Sequence, residues 1–214
     1  LFFLNPKILL AEEISTFTFS GSNFFISLPD KYCDVSKSEV GNFYLDYLNK
    51  AKAKNMLMPL PKIVLYPCNK KVDFDYPWGY VGIRKSSNLI KTQLDLNKQM
   101  AKLFGNKNLL NKLSKIGKKI NKEIINEYGF DSDFNTLNKP KILWTDNNTV
   151  IFQIINSGYL EGEKFTEIVV ASSTLLKNVI ITTYITNEFN RSTNIKEIVL
   201  RLANYSKTIK KFNK

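Results

Sequence analysis

Apolar and polar residues alternate from Ile14 to Phe19 as Ile-Ser-Thr-Phe-Thr-Phe, and an apolar run resumes at Phe24 and ends at Leu28, before Pro29 and Asp30. Period two lines one face of a strand with apolar side chains, and Ser20, Gly21, Ser22 and Asn23 supply turn chemistry, so residues 14–28 predict a hairpin. After a cap within residues 36–38, Val40, Phe43, Tyr44, Tyr47 and Leu48 fall at helical spacing with lysines toward the C-terminal end, which predicts a helix to about residue 54, lying on a sheet. Short strands are expected at 63–66, between Pro61 and Pro67, and at 78–83, where Gly79 and Gly82 admit a bulge or close packing. Residues 89–128 then read as two helices broken near Gly105 and Asn106. In the second, Leu109, Leu113, Ile116, Ile120 and Ile124 share one stripe, while Lys112, Lys115, Lys118, Lys119 and Lys122 occupy the other side.

Residues 129–140 read as a loop. Beyond it, β-branched and aromatic residues predict strands at 142–145, 149–155, 165–173 and 179–186, the last two joined tightly at Lys177 and Asn178. A final helix over 193–212 directs Ile195, Ile198, Val199, Leu202, Tyr205, Ile209 and Phe212 toward a core. Strand clusters at both ends with helices between and after them imply an α+β fold, an antiparallel sheet with helices packed on it. No internal repeat or low-complexity tract interrupts the pattern.

With 43% apolar and 23% charged residues, nine Gly and seven Pro in 214 residues, the composition is that of a packed globular protein. At roughly 150 residues per domain the length admits one large domain or two small ones. One is expected, over 12–214, with 89–128 a basic helical insertion. The net charge of +12 invites binding to nucleic acid or an anionic membrane, because clustered lysines neutralise phosphates and release their counterions. Only Arg84, Arg191 and Arg201 among the 31 basic residues are arginines, however, and arginine is the side chain that reads base edges and grips phosphate in two places. A Lys-, Asn- and Ile-rich composition also arises from an AT-rich genome without any selection for binding.

Residues 1–11 run apolar to a small residue, Ala11, followed at once by Glu12 and Glu13. This fits the tail of a secretory signal peptide cleaved after Ala11, and hence a periplasmic or secreted protein. The residues at 5–7, Asn-Pro-Lys, interrupt the apolar run, and an N-terminal strand or a membrane-tethering stub fits the same segment. No later apolar run reaches the about 20 residues of a helical span, so no transmembrane span is expected in the mature chain. The two cysteines, Cys33 and Cys68, are too few for a four-ligand zinc site in a chain without histidine. In an exported protein they suggest a disulfide, and two buried thiols that never meet are the alternative.

The absence of histidine excludes Ser-His-Asp and Cys-His catalysis, histidine metal sites and imidazole proton shuttles for this chain acting alone. No Gly-rich phosphate loop ending in Gly-Lys-Ser/Thr and no Gly-x-Gly-x-x-Gly fingerprint occurs, so nucleotide chemistry of the familiar kinds has no support. Three carboxylate pairs remain formally able to share acid and base roles: Asp73 with Asp75, Asp131 with Asp133, and Glu161 with Glu163. All sit in turn-like contexts where acidic residues serve solubility and turn formation, so no catalytic residue, cofactor or metal is assigned. The lysine stripe at 112–122 fits contact with an anionic surface, and it equally fits the solvated outer face of a helix in a basic protein. Aromatics interleaved with the lysines, which a single-strand nucleic-acid binder needs for stacking, are missing there, and this disfavours nucleic acid as the partner.

At the two ends, the strand entering Leu28-Pro29-Asp30-Lys31-Tyr32 before a helix, and the run 180–186 before a helix rich in Leu, Tyr and Lys, together resemble the Mog1/PsbP-like α/β/α sandwich group. That group includes small exported proteins and lipoproteins of bacteria. The resemblance implies an antiparallel sheet with helices on both faces, here with the helical insertion at 89–128, and an accessory or binding role rather than catalysis. It transfers no functional residue. The expectation is thus an exported, non-enzymatic accessory or binding protein of the bacterial envelope. Its partner would be an envelope protein, met through the sheet edge or the helical insertion, or an anionic surface met through the lysine stripe.

Overall fold

A computed structural model of the chain describes residues 14–55, 58–72, 76–129, 132–136, 140–190 and 192–213. The expected signal segment at 1–11 and the acidic residues Asp73, Asp75 and Asp131 lie outside them, as does the side chain of Asp133. β1 (Ile14–Phe19) and β2 (Ser22–Ser27) form the expected hairpin, and β3 (Tyr32–Asp34) leads into α1 (Glu39–Lys54). β4 (Leu60–Pro67) and β5 (Trp78–Lys85) precede α2 (Gln93–Gly105) and α3 (Lys107–Glu127). Then come β6 (Ser132–Thr136), β7 (Lys141–Thr145), β8 (Val150–Leu160), β9 (Glu163–Leu176), β10 (Val179–Glu188) and α4 (Ile195–Phe212).

The main sheet has the order β3-β4-β5-β10-β9-β8-β6, with β7 also paired to β8, and every pairing is antiparallel. Its long central strands owe their register to two-residue turns. Glu161 and Gly162 join β8 to β9 at φ of 52° and 81°, and Lys177 and Asn178 join β9 to β10 at 46° and 63°. Positive φ at both central residues gives a twist that matches the flanking strands, which is why primed turns close such hairpins. Ser20 and Gly21 close β1–β2 in the same way, at 49° and 76°.

Both faces of the sheet are covered, as expected. On one, Ile198, Leu202, Tyr205 and Ile209 of α4 and Phe24 and Ile26 of β2 pack on Ile151, Ile168, Ile181 and other alternate strand residues. On the other, α2 sets Leu96 and Met100 against Val150, Phe152 and Ile180, the neighbours in sequence of the first set, while α1 and α3 meet around Ala51, Ile120 and Ile124. A sheet buried on both sides explains why β8 and β10 read as apolar runs rather than alternating ones. The disulfide joins Cys33 on the three-residue edge strand β3 to Cys68, just beyond β4, with Cα atoms 5.0 Å apart.

Two expectations are corrected. The segment 129–140 is not all loop, because Ser132–Thr136 forms β6 against β8. Its sequence Ser-Asp-Phe-Asn-Thr has little intrinsic strand preference, and the ladder offered by the long strand β8 overrides it. Phe212 does not face the core. It is 40% exposed, and its neighbour Asn213 is the buried residue at the end of α4.

Candidate functional site

The pair of helices α2 and α3 is built by explicit caps. Thr92 and Asp95 form a capping box at the start of α2: Asp95 N–H donates to Thr92 Oγ1 at 3.2 Å, and Thr92 N–H donates to Asp95 Oδ2 at 2.9 Å. Asn106 ends α2 and starts α3, its Oδ1 accepting the Leu109 N–H at 3.0 Å. One residue thus turns the chain between the two helices where the sequence pattern places the break.

The C-terminal half of α3 is anchored. Ile120 and Ile124 are buried against Ala51, Tyr47, Met58 and Tyr128, and Lys54 of α1 donates to Glu127 at 2.8 Å and to Glu123 at 3.4 Å. Tyr128 donates to Asp46 of α1, and Lys50 lies 4.2 Å over the Tyr128 ring. The N-terminal half is different. Leu109 and Ile116 continue the same apolar stripe about three turns and one turn upstream of Ile120, yet they stay 38% and 39% exposed.

On the remaining circumference of α3, the helix brings Lys112, Lys115, Lys118, Lys119 and Lys122 together, and all five are exposed. Lys119 lies 3.8 Å from Glu123 one turn on, a solvent-screened pair worth little. Half of α3 therefore carries an uncovered apolar strip beside a band of lysines. Among the described residues no helix is long and apolar enough to cross a membrane, and no three His, Cys, Asp or Glu side chains gather as a metal ligand set. Glu161 and Glu163 are exposed at the β8–β9 turn.

Two arrangements have no counterpart in the sequence pattern. Glu167 of β9 is half-buried, and Tyr76 Oη donates to its Oε2 at 2.9 Å while Asn156 Nδ2 donates to its Oε1 at 3.0 Å. Burial raises its pKa above the ordinary carboxyl value, and the two donors pull the other way without cancelling that effect. Around it Tyr44 stacks on Trp78 with ring centroids 4.2 Å apart, and Tyr80 stacks on Tyr184 at 4.4 Å. This is a half-buried aromatic cluster that holds a hydrogen-bonded acid.

The other is a cleft of about 530 Å³ at the end of β5, lined by Lys52, Arg84 and Lys85 with an apolar floor that includes Leu60, Ile90 and Ile180. It exists because β4 begins at Leu60 opposite Ile83, so that Arg84 and Lys85 are paired to β10 alone.

No protein-family model matches the chain, and no curated protein matches it. Solved structures do. The chain is similar to the Ran-binding protein Mog1p of Saccharomyces cerevisiae over 91% of its own length and 85% of that chain, at 10% identity and a TM-score of 0.31. It is also similar to cyanobacterial PsbP (CyanoP) from Synechocystis sp. PCC 6803 over 91% of both chains, at 13% identity and a TM-score of 0.41.

Proposed function

We propose that the protein is a non-enzymatic binding protein exported to the bacterial envelope, and that α3 docks it on an anionic membrane surface. The observation that carries this is the exposure of Leu109 and Ile116 on the stripe that Ile120 and Ile124 bury, with five exposed lysines on the rest of the helix. An amphipathic helix of this kind lies in the interface with its apolar side among the acyl chains, and each lysine near an anionic leaflet adds about 1 kcal/mol of attraction. The net charge of +12 favours the same partner through the field of the whole chain. A disulfide between Cys33 and Cys68 fits an oxidising compartment outside the cytosol. Docking through a sheet edge has less support, since β3 and β6, at the two ends of the sheet order, are only three and five residues long.

Co-sedimentation with vesicles tests the proposal. Binding to phosphatidylglycerol vesicles should exceed binding to phosphatidylcholine vesicles by tenfold or more, and should weaken steeply as salt is raised. Replacing Lys112, Lys115, Lys119 and Lys122 together by Gln, or Leu109 and Ile116 together by Asn, should each cost at least tenfold. Equal binding to the two vesicle types, or indifference to both sets of substitutions, overturns it, and a preference for nucleic acid over either vesicle would point to the other polyanion.

A further inference from the structure

We infer that the cleft at the end of β5 binds an amphipathic organic anion, a phosphate or carboxylate head carried on an apolar body. The inference rests on different residues from the α3 proposal and stands or falls separately. The cleft's volume, about 530 Å³, lies within the range of small-molecule sites. Its chemistry is two-sided. Lys52 from α1 and Arg84 and Lys85 from β5 bring positive charge to it, no acidic side chain is among the described residues that line it, and Ile90 and Ile180 are almost fully buried in its floor.

Arg84 is the informative residue. It is half-buried, and among the described residues it forms no ion pair with a carboxylate. Its charge acts on Tyr184, whose own burial raises the phenol pKa and keeps it neutral, so among the described residues the guanidinium stays uncompensated. A partly desolvated cation without a counter-charge favours a bound anion, and the planar fork of arginine suits the two oxygens of a carboxylate or phosphate.

The backbone adds a donor. Ser86 N–H bonds to Asn178 on the β10 side at 2.8 Å. Bonding directions alternate along an antiparallel strand, so the Lys85 N–H faces the side that β4 leaves open. An acidic head held by Arg84, Lys85 and this amide would leave its apolar body against Leu60, Ile90 and Ile180, which neither a bare inorganic anion nor a neutral alcohol could exploit fully.

Calorimetry with octyl phosphate, octanol and inorganic phosphate is the test. Octyl phosphate should bind at least tenfold more tightly than either of the other two. Arg84→Gln should weaken it about tenfold. Ser87→Trp, which blocks the rim from an exposed position without touching the charges, should do the same, and unfolding curves of both free variants establish that they fold. The lysine substitutions on α3 should leave this affinity unchanged. Mass spectrometry of protein re-isolated from phosphatidylglycerol vesicles distinguishes the sources: retained phospholipid assigns the head group to a membrane lipid, and its absence assigns a soluble anion. Equal affinity for octanol and octyl phosphate, or no effect of either cleft variant, overturns the inference.

Discussion

The side chain of Asn213 holds both backbone polar groups of Phe25, 188 residues away: its Oδ1 accepts the Phe25 N–H at 3.0 Å, and its Nδ2 donates to the Phe25 carbonyl at 2.6 Å. Among the described residues β2 is paired with β1 alone, and an amide side chain at the end of α4 takes the place of a neighbour strand and fastens the hairpin over the core. Nδ2 also donates to Ile209 O at 2.7 Å. Asn213→Ala should cost about 2 kcal/mol, since it strands partly buried backbone groups. Asn213→Asp should cost more, because it sets a carboxylate oxygen against two carbonyls. Urea unfolding measures both, and an Asp variant as stable as the wild type would contradict the pairing.

The disulfide closes a loop of 35 residues that contains α1 and all of β4, and it tethers a three-residue edge strand that the ladder alone holds weakly. In the chain-entropy model such a closure contributes roughly 3 to 4 kcal/mol by restricting the unfolded state. Cys33→Ser with Cys68→Ser should therefore lower the urea midpoint by a corresponding amount and raise the m-value, because the unfolded chain without the crosslink exposes more surface. Hydrogen exchange should report the largest loss of protection at residues 31–35 and 64–68, where Val35 N–H bonds Val64 O and Cys68 N–H bonds Lys31 O.

Glu167 makes stability depend on pH with a definite sign. Its folded-state pKa is raised, by burial first, so the folded chain holds its proton more tightly than the unfolded chain does. The stabilisation this gives is complete below the ordinary carboxyl value and is lost as pH rises through the raised one. Ionised Glu167 also repels ionisation of its neighbours: Tyr47 is pushed up to about 12 by burial and then by Glu167. Glu167→Gln keeps the shape and removes the charge, so its stability relative to wild type should improve as pH rises from the ordinary carboxyl value through the raised one, by urea unfolding. A difference that stays constant across that range would show that the acid is not held in its neutral form.

Much of this architecture is legible in the chain, and the exceptions share a cause. Lys177-Asn178 announces its turn because asparagine tolerates positive φ, and the stripe from Leu109 to Ile124 announces α3 because its period is unbroken. β6 is illegible because its polar sequence follows pairing with β8 rather than propensity. Phe212 misleads because the helical period continues past the point where α4 still has sheet beneath it, and the buried position passes to Asn213. Arg84 carries no local signal at all, since the cleft beside it depends on where β4 stops along β5. The lysines of α3 were visible as a set, whereas the incomplete cover of their apolar stripe is a fact of packing on α1.

Two helical glycines separate space from propensity. A Cβ at Gly117 in α3 would meet nothing within 4 Å, whereas one at Gly41 in α1 would lie 1.9 Å from the carbonyl oxygen of Val35. Gly117→Ala should thus stabilise the chain by about 1 kcal/mol, the difference in helix propensity, if α3 is helical in the free protein. Gly41→Ala should destabilise it by more than that gain, because the start of α1 must move away from the segment that links it to β3. Chemical unfolding of the two variants decides the first point. If Gly117→Ala is neutral, α3 is frayed in solution around residue 117, and its lysine band would then have to form on the membrane rather than be presented to it, which would show as a rise in helicity by circular dichroism when phosphatidylglycerol vesicles are added to either protein.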